Sequence, residues 1–218
     1  MIKKLLPEKK RDRILLFLGI SLVLLALFYI FSFYVKGGRF KTFDFDMTVR
    51  LSDKTPKKFD PYFSFLSLTG SFEITIVILF VLLILRKKIL GFLVIGIFGF
   101  AHFVELFGKS FLHHPPPPFM FFRYDLGFQF PTSYVQTGNS YPSGHAMRMI
   151  FLVIIAVWII LHMKKINIQT KYMSIIPICM YAFLMLLSRV VLGEHWTSDV
   201  IGGSILGASF GILSLIFL

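Results

Sequence analysis

ILLFLGISLVLLALFYIFSFYV, from Ile14 to Val35, runs for 22 residues without a charge. As a helix it spans about 33 Å, just over the roughly 30 Å hydrocarbon core of a bilayer. Working outward, five more stretches approach this length and character: 62–85 with Glu73 inside, 89–108 with His102 and Glu105, 143–163, 172–192 and 198–218. The last carries Gly203, Gly207 and Gly211 at four-residue intervals, a spacing that lets another helix approach closely. The fold class read from this pattern is all-α: a six-transmembrane-helix bundle, one integral-membrane domain over 1–218, with outer loops 36–61 and 109–142.

Composition agrees. Of 218 residues, 56% are hydrophobic and 16% charged, and a mean hydropathy of +0.77 leaves too little polar sequence to cover a water-facing surface. The single Cys179 excludes a disulfide-stapled scaffold. A net charge of +12 suggests nucleic acid in a soluble chain, but in a membrane chain Lys and Arg first mark topology. Twelve basic residues lie before the first span, at 86–88 and at 164, 165 and 171, with only Glu8 and Asp12 as acids among them. The positive-inside rule makes this side cytoplasmic, with both termini there, so the expected localisation is the cell membrane, multi-pass. The basic head before Ile14 is like that of a secretory leader. The apolar run is too long and no small-residue cleavage site follows, so the reading is an uncleaved first span.

The remaining polar groups gather on the opposite, outer side. In Tyr141-Pro142-Ser143-Gly144-His145, Pro and Ser favour a helix start. Free N–H groups at such a start face an anion, and Gly144 lets the backbone come close to it. His145 follows in the first turn; an ordinary capped helix with an interfacial histidine is the bland alternative. Ser188-Arg189, then five residues, His195, three residues and Asp199 form a second cluster. Four residues apart on a helix share a face, so Asp199 can fix one ring nitrogen of His195 and leave the other as nucleophile or base. Arg189 offers a planar fork to phosphate, or else pairs with Asp199. Lys109, one turn after Glu105, is either a simple ion-pair partner or a phosphate-binding ammonium held by that carboxylate. Adjacent His113 and His114 and the scarcity of carboxylates make a metal site a poor fit, so neither metal nor cofactor is expected.

These residues resemble the type 2 phosphatidic acid phosphatase superfamily of membrane phosphatases, related in fold to vanadium-dependent haloperoxidases. The family pattern is Lys, six residues, Arg-Pro; then Pro-Ser-Gly-His; then Ser-Arg, five residues, His, three residues, Asp. The second and third parts are complete at 142–145 and at Ser188, Arg189, His195 and Asp199. Thr69-Gly70-Ser71 is a weaker echo of a family segment. The first part departs: Lys109 and Pro117 stand in place, but Pro116 occupies the arginine position. Arg148, one turn beyond His145, is the preferred substitute, with Arg123, His114 and Glu105 as further candidates around the site.

The resemblance implies a metal-independent lipid phosphatase. Lys109, Ser143, Gly144, Arg189 and Arg148 would bind the phosphate, His195 oriented by Asp199 would attack it, and His145 would protonate the leaving oxygen, giving a phosphohistidine. The partners implied are the bilayer and a lipid substrate, not nucleic acid. The substrate classes are polyprenyl diphosphates of the undecaprenyl diphosphate kind, which are preferred, phosphatidylglycerophosphate and phosphatidic acid. Phe119, Phe121, Phe122 and Phe128 suit a lipid interface beside the site. The alternatives are a lipid phosphotransferase and a non-catalytic protein that binds lipid phosphates.

Overall fold

The computed structural model describes residues 10–86, 89–128 and 138–218; of the topology-marking lysines, Lys3, Lys4, Lys9, Lys87 and Lys88 lie outside these. The elements in chain order are α1 (Lys10–Lys36), α2 (Lys41–Lys54), α3 (Asp60–Leu68), α4 (Phe72–Arg86), α5 (Phe92–Phe111), α6 (Gly144–Leu161), α7 (Ile168–Val191) and α8 (Thr197–Ser214), with no strand among the described residues. Among the described residues five helices are long and apolar enough to cross a membrane. A sixth crossing is a bent pair, Lys57–Leu68 with Phe72–Ile84, inclined at 52°.

The stretch 62–85 is therefore a broken span rather than a straight helix. Its break falls at Thr69-Gly70, where the Thr69 hydroxyl donates back to the Leu66 carbonyl at 2.7 Å and competes with the helical ladder. The break frees the Gly70 carbonyl, which accepts from Arg148 Nε at 2.9 Å. The expected outer loop 36–61 also differs, because it contains α2. This helix is too polar to read as a span, but Asp44 and Thr48, one turn apart, form a buried face. Asp44 caps the start of α8, accepting from Ser198 N at 2.8 Å and from Ser198 Oγ at 2.6 Å.

α6 and α8 run parallel and form the centre. Gly203 faces the Ser143 carbonyl and Gly207 the Met147 carbonyl, while Gly211 faces Ile154 and Phe151, so the register advances together along both helices. A Cβ at Gly207 would collide with the Met147 backbone, which is the packing reason for the small-residue stripe. Phe98, Met147, Phe151, Ile155, Leu79 and Leu206 fill the core beside this seam. α1 lies along α8, pinned by Ser21 Oγ and Ser209 Oγ at 3.1 Å. Only 11% of the most apolar window of α1 is buried inside the protein, so the rest of that surface is left to lipid.

Candidate active site

The starts of α6 and α8 and the ends of α5 and α7 meet at one end of the bundle. The helical spacing of His195 and Asp199 holds: His195 Nδ1 lies 3.3 Å from Asp199 Oδ2. The same oxygen accepts from the Trp196 backbone N–H at 2.9 Å. Asp199 Oδ1 is held by His114 Nδ1 at 2.8 Å. A carboxylate only accepts, so each imidazole donates from Nδ1, and in His195 the Nε2 lone pair is left free. His195 is 7% exposed. Burial pushes its imidazolium down to about 4; the Asp199 hydrogen bond opposes this, and Arg189 and Lys109 add to it. Near neutral pH it is a free base.

Ser143 caps α6, accepting from Ala146 N at 3.5 Å. Its own N–H donates to the Asp199 carbonyl at 3.0 Å, a direct tie between the two motif segments. His145 stands in the first turn of α6, and Arg148 Nη2 lies 3.4 Å from its Nδ1. Arginine has only donors, so that nitrogen carries the lone pair and the proton sits on Nε2. Arg148 Nη1 also lies 3.6 Å from Glu105 Oε2. Gly144 leaves room for this pair: a Cβ there would come within 2.5 Å of Glu105 Oε1.

Glu105 is the hub of the α5 side. Its Oε1 meets Lys109 Nζ at 2.6 Å and its Oε2 meets His102 Nδ1 at 2.7 Å. Lys109 is thus paired with Glu105 and also lines a cavity. Arg189 does not pair with Asp199. It bonds Ser67 Oγ, and its Nη1 meets Glu194 Oε2 at 2.5 Å. Burial pushes the Glu194 carboxyl up, against the pull of Arg189 and the Ser67 hydrogen bond. Gly193, with φ of 64°, ends α7 in the left-handed region, and its missing Cβ admits the Phe121 carbonyl.

A cavity of about 630 Å³ opens between these elements. His145, His195, Lys109, Arg148, Arg189 and Glu105 line it together, while Phe72, Leu106, Phe119 and Phe122 give it an apolar side. Ser143, Gly144 and Asp199 lie behind its wall, fully or nearly fully buried. His114 is behind it too, on Asp199. Arg123 is elsewhere: its guanidinium donates to Asp60 at 3.1 and 2.6 Å and to the carbonyls of Ser52 and Thr55 at 2.9 and 2.8 Å. Of the four aromatics, Phe121 packs on Phe45 instead of bordering the cavity, and Phe128 is exposed. Among the described residues no three His, Cys, Asp or Glu side chains converge as a metal-holding group.

The sequence reading missed Ser67, His102 and Glu73 as cavity residues. His102 and Glu73 carried a usable signal, since ionisable groups inside apolar spans are costly. Ser67 carried none, because its partners are 122 and 127 positions away.

Bundle and site together define a multi-pass membrane protein with a histidine–carboxylate centre at one end of its helices. Residues 89–218, which hold every motif residue from Lys109 to Asp199, match the PAP2 superfamily, and the chain belongs to it. Two solved structures share the fold. One is a transmembrane PAP2-type phosphatidylglycerolphosphate phosphatase from Bacillus subtilis, with a TM-score of 0.71, 21% identity, and 89% of this chain and 94% of that one covered. The other is Aquifex aeolicus LpxE, with a TM-score of 0.59, 20% identity, and 78% and 93% covered. No curated protein sequence matches the chain.

Proposed function

We propose that the protein is a metal-independent lipid phosphatase working through a phosphohistidine on His195. The observation that carries this reading is the free Nε2 of His195, held by Asp199 at Nδ1, on a cavity that also presents His145 and three cationic side chains. The substrate phosphate docks among Lys109, Arg148 and Arg189, which take up charge on its equatorial oxygens. His195 Nε2 attacks phosphorus in line as the bond to the leaving oxygen breaks. Arriving negative charge draws Arg148 from His145 Nδ1 onto the phosphate; the freed Nδ1 takes a proton from solvent water, and the resulting imidazolium gives its Nε2 proton to the leaving oxygen. Water, losing a proton to His145, attacks the phosphohistidine. The P–N bond breaks, phosphate leaves and His195 is restored.

The apolar side of the cavity supports an amphiphile whose chain leaves over Phe72 and Leu106 while its headgroup stays among the cations. Three cationic groups exceed what one phosphate monoester needs, which favours a polyprenyl diphosphate over phosphatidylglycerophosphate and phosphatidic acid.

The test is phosphate release in detergent from a panel of lipid phosphates and diphosphates, with and without EDTA and across pH. Release should persist in EDTA and vanish in His195→Ala. Because His195 attacks only as free base, kcat/KM should rise with pH through about 4 and be level by neutrality. An unperturbed imidazole, near 6.5, would still be titrating there. Full activity in His195→Ala overturns the assignment.

A further inference from the structure

We propose that His114 is a positioning residue of this site, fixing the Asp199 carboxylate that holds His195. The inference rests on the histidine–phosphate reading above and assigns a role within it that neither motif segment contains. His114 lies 85 positions from Asp199, and its Nδ1 donates to Oδ1 at 2.8 Å, a shorter contact than the 3.3 Å between His195 and Oδ2. The imidazole is buried, 8% exposed, and is absent from the cavity wall. It therefore reaches substrate only through Asp199.

The position is built. The His114 carbonyl accepts from Ser140 N at 2.8 Å and from Ser140 Oγ at 3.0 Å. The next carbonyl, of Pro115, accepts from Trp196 Nε1 at 2.7 Å. Tyr141 packs edge-on to the ring at 6.2 Å and is itself held by Ser32 Oγ at 2.7 Å. Thus the first and last parts of the 109–142 connection clamp one imidazole against one carboxylate oxygen. With that oxygen unpartnered, the carboxylate can turn about its last torsion, and the longer His195 contact is the one that suffers.

The groups facing His114 are Asp199, Asp44 and Tyr141. Those facing His195 are Asp199, Arg189, Lys109 and His145. A donor on Oδ1 draws negative charge away from Oδ2. Removing it leaves more charge on the His195 side, so the imidazolium is better held and titrates at higher pH. At metal sites the loss of a ligand's outer partner costs about 10–100-fold, and a loss of the same order is expected for the partner of Asp199.

The experiment compares wild type, His114→Phe and His114→Asn, whose amide nitrogen stands where Nδ1 stood. In His114→Phe, kcat should fall about 10–100-fold with KM unchanged, and the acid limb of kcat/KM should move up. His114→Asn should restore most of both. A raised KM with intact kcat would place His114 on the phosphate and overturn the proposal. So would Phe and Asn variants equal to wild type, or equally impaired with the same loss of thermal stability. If the Phe variant does not fold, His114→Gln replaces it, since its amide nitrogen sits at the Nε2 position. The His195 titration is also read by NMR of 15N-histidine-labelled protein, without turnover. An upward shift there in His114→Phe, beside a wild type that hydrolyses none of the panel, would keep the His114 role and sink the phosphatase reading; an unmoved titration in the variant beside an active wild type would do the reverse.

Discussion

The sequence offers both Arg123 and Arg148 as replacements for the cation missing at Pro116, and their surroundings separate them. Arg148 has one firm acceptor, the Gly70 carbonyl, and two looser neighbours at 3.4 and 3.6 Å, and it lines the cavity. Arg123 is saturated by Asp60, Ser52 and Thr55 and ties α2 to α3. Arg148→Ala should therefore lower kcat by about 10²–10³, the cost of one lost preorganised donor, and weaken inhibition by inorganic phosphate. Arg123→Ala should leave KM and phosphate inhibition alone but cost about 3–5 kcal/mol of stability by stranding the Asp60 charge. Kinetics and thermal melting of both variants check this; unchanged turnover in Arg148→Ala would remove it from the site. What was legible here followed from local geometry: His195 with Asp199, and Arg148 one turn from His145, are helix neighbours. The fates of His114 and Arg123 were not, because the carboxylate partner of each lies more than 60 positions away.

Elements follow the same division. Six apolar stretches could be read because length and apolar composition mark each by itself, whereas the break at Thr69-Gly70 and the helix α2 depend on neighbours. The break exists where Arg148 takes a carbonyl, and α2 where Asp44 caps α8. The glycine stripe was readable as a close-approach surface, but not as a seam with α6, and that seam sets the site. It carries Ser143 onto the Asp199 carbonyl and so fixes His145 relative to His195. Gly207→Leu should force α6 and α8 apart at a cost of about 1–3 kcal/mol and reduce turnover together with melting temperature. Gly99→Leu is the control, since nothing lies within 4 Å of a Cβ there. Equal behaviour of the two variants would mean that the α6–α8 register does not govern the site.

At the scale of the molecule, the α6–α7 turn and the cavity occupy opposite ends. The turn from α6 to α7 carries exposed Lys164 and Lys165 and lies one helix length from the cavity. The bend at Gly70 lies against His145, and α4 carries the chain from there to the turn at Gly91, which packs on Leu83. We propose that α3 and α4 make one crossing, so that six passes bring both ends to the side of the α6–α7 turn. On the proposed topology the positive-inside rule turns the cavity outward, and the expected substrate is a lipid whose headgroup is presented in the outer leaflet. This orientation is checked in a Cys179→Ser background, because the one native cysteine is exposed. Lys57→Cys, in the connection from α2 to α3, and Lys165→Cys, at the far end, are both at exposed positions. A membrane-impermeant maleimide should label position 57 in intact cells and position 165 only after permeabilisation. The reverse pattern would put the cavity in the cytoplasm. It would also move the substrate to the inner leaflet, making the lysines of the α6–α7 turn an exception to the rule instead of its consequence.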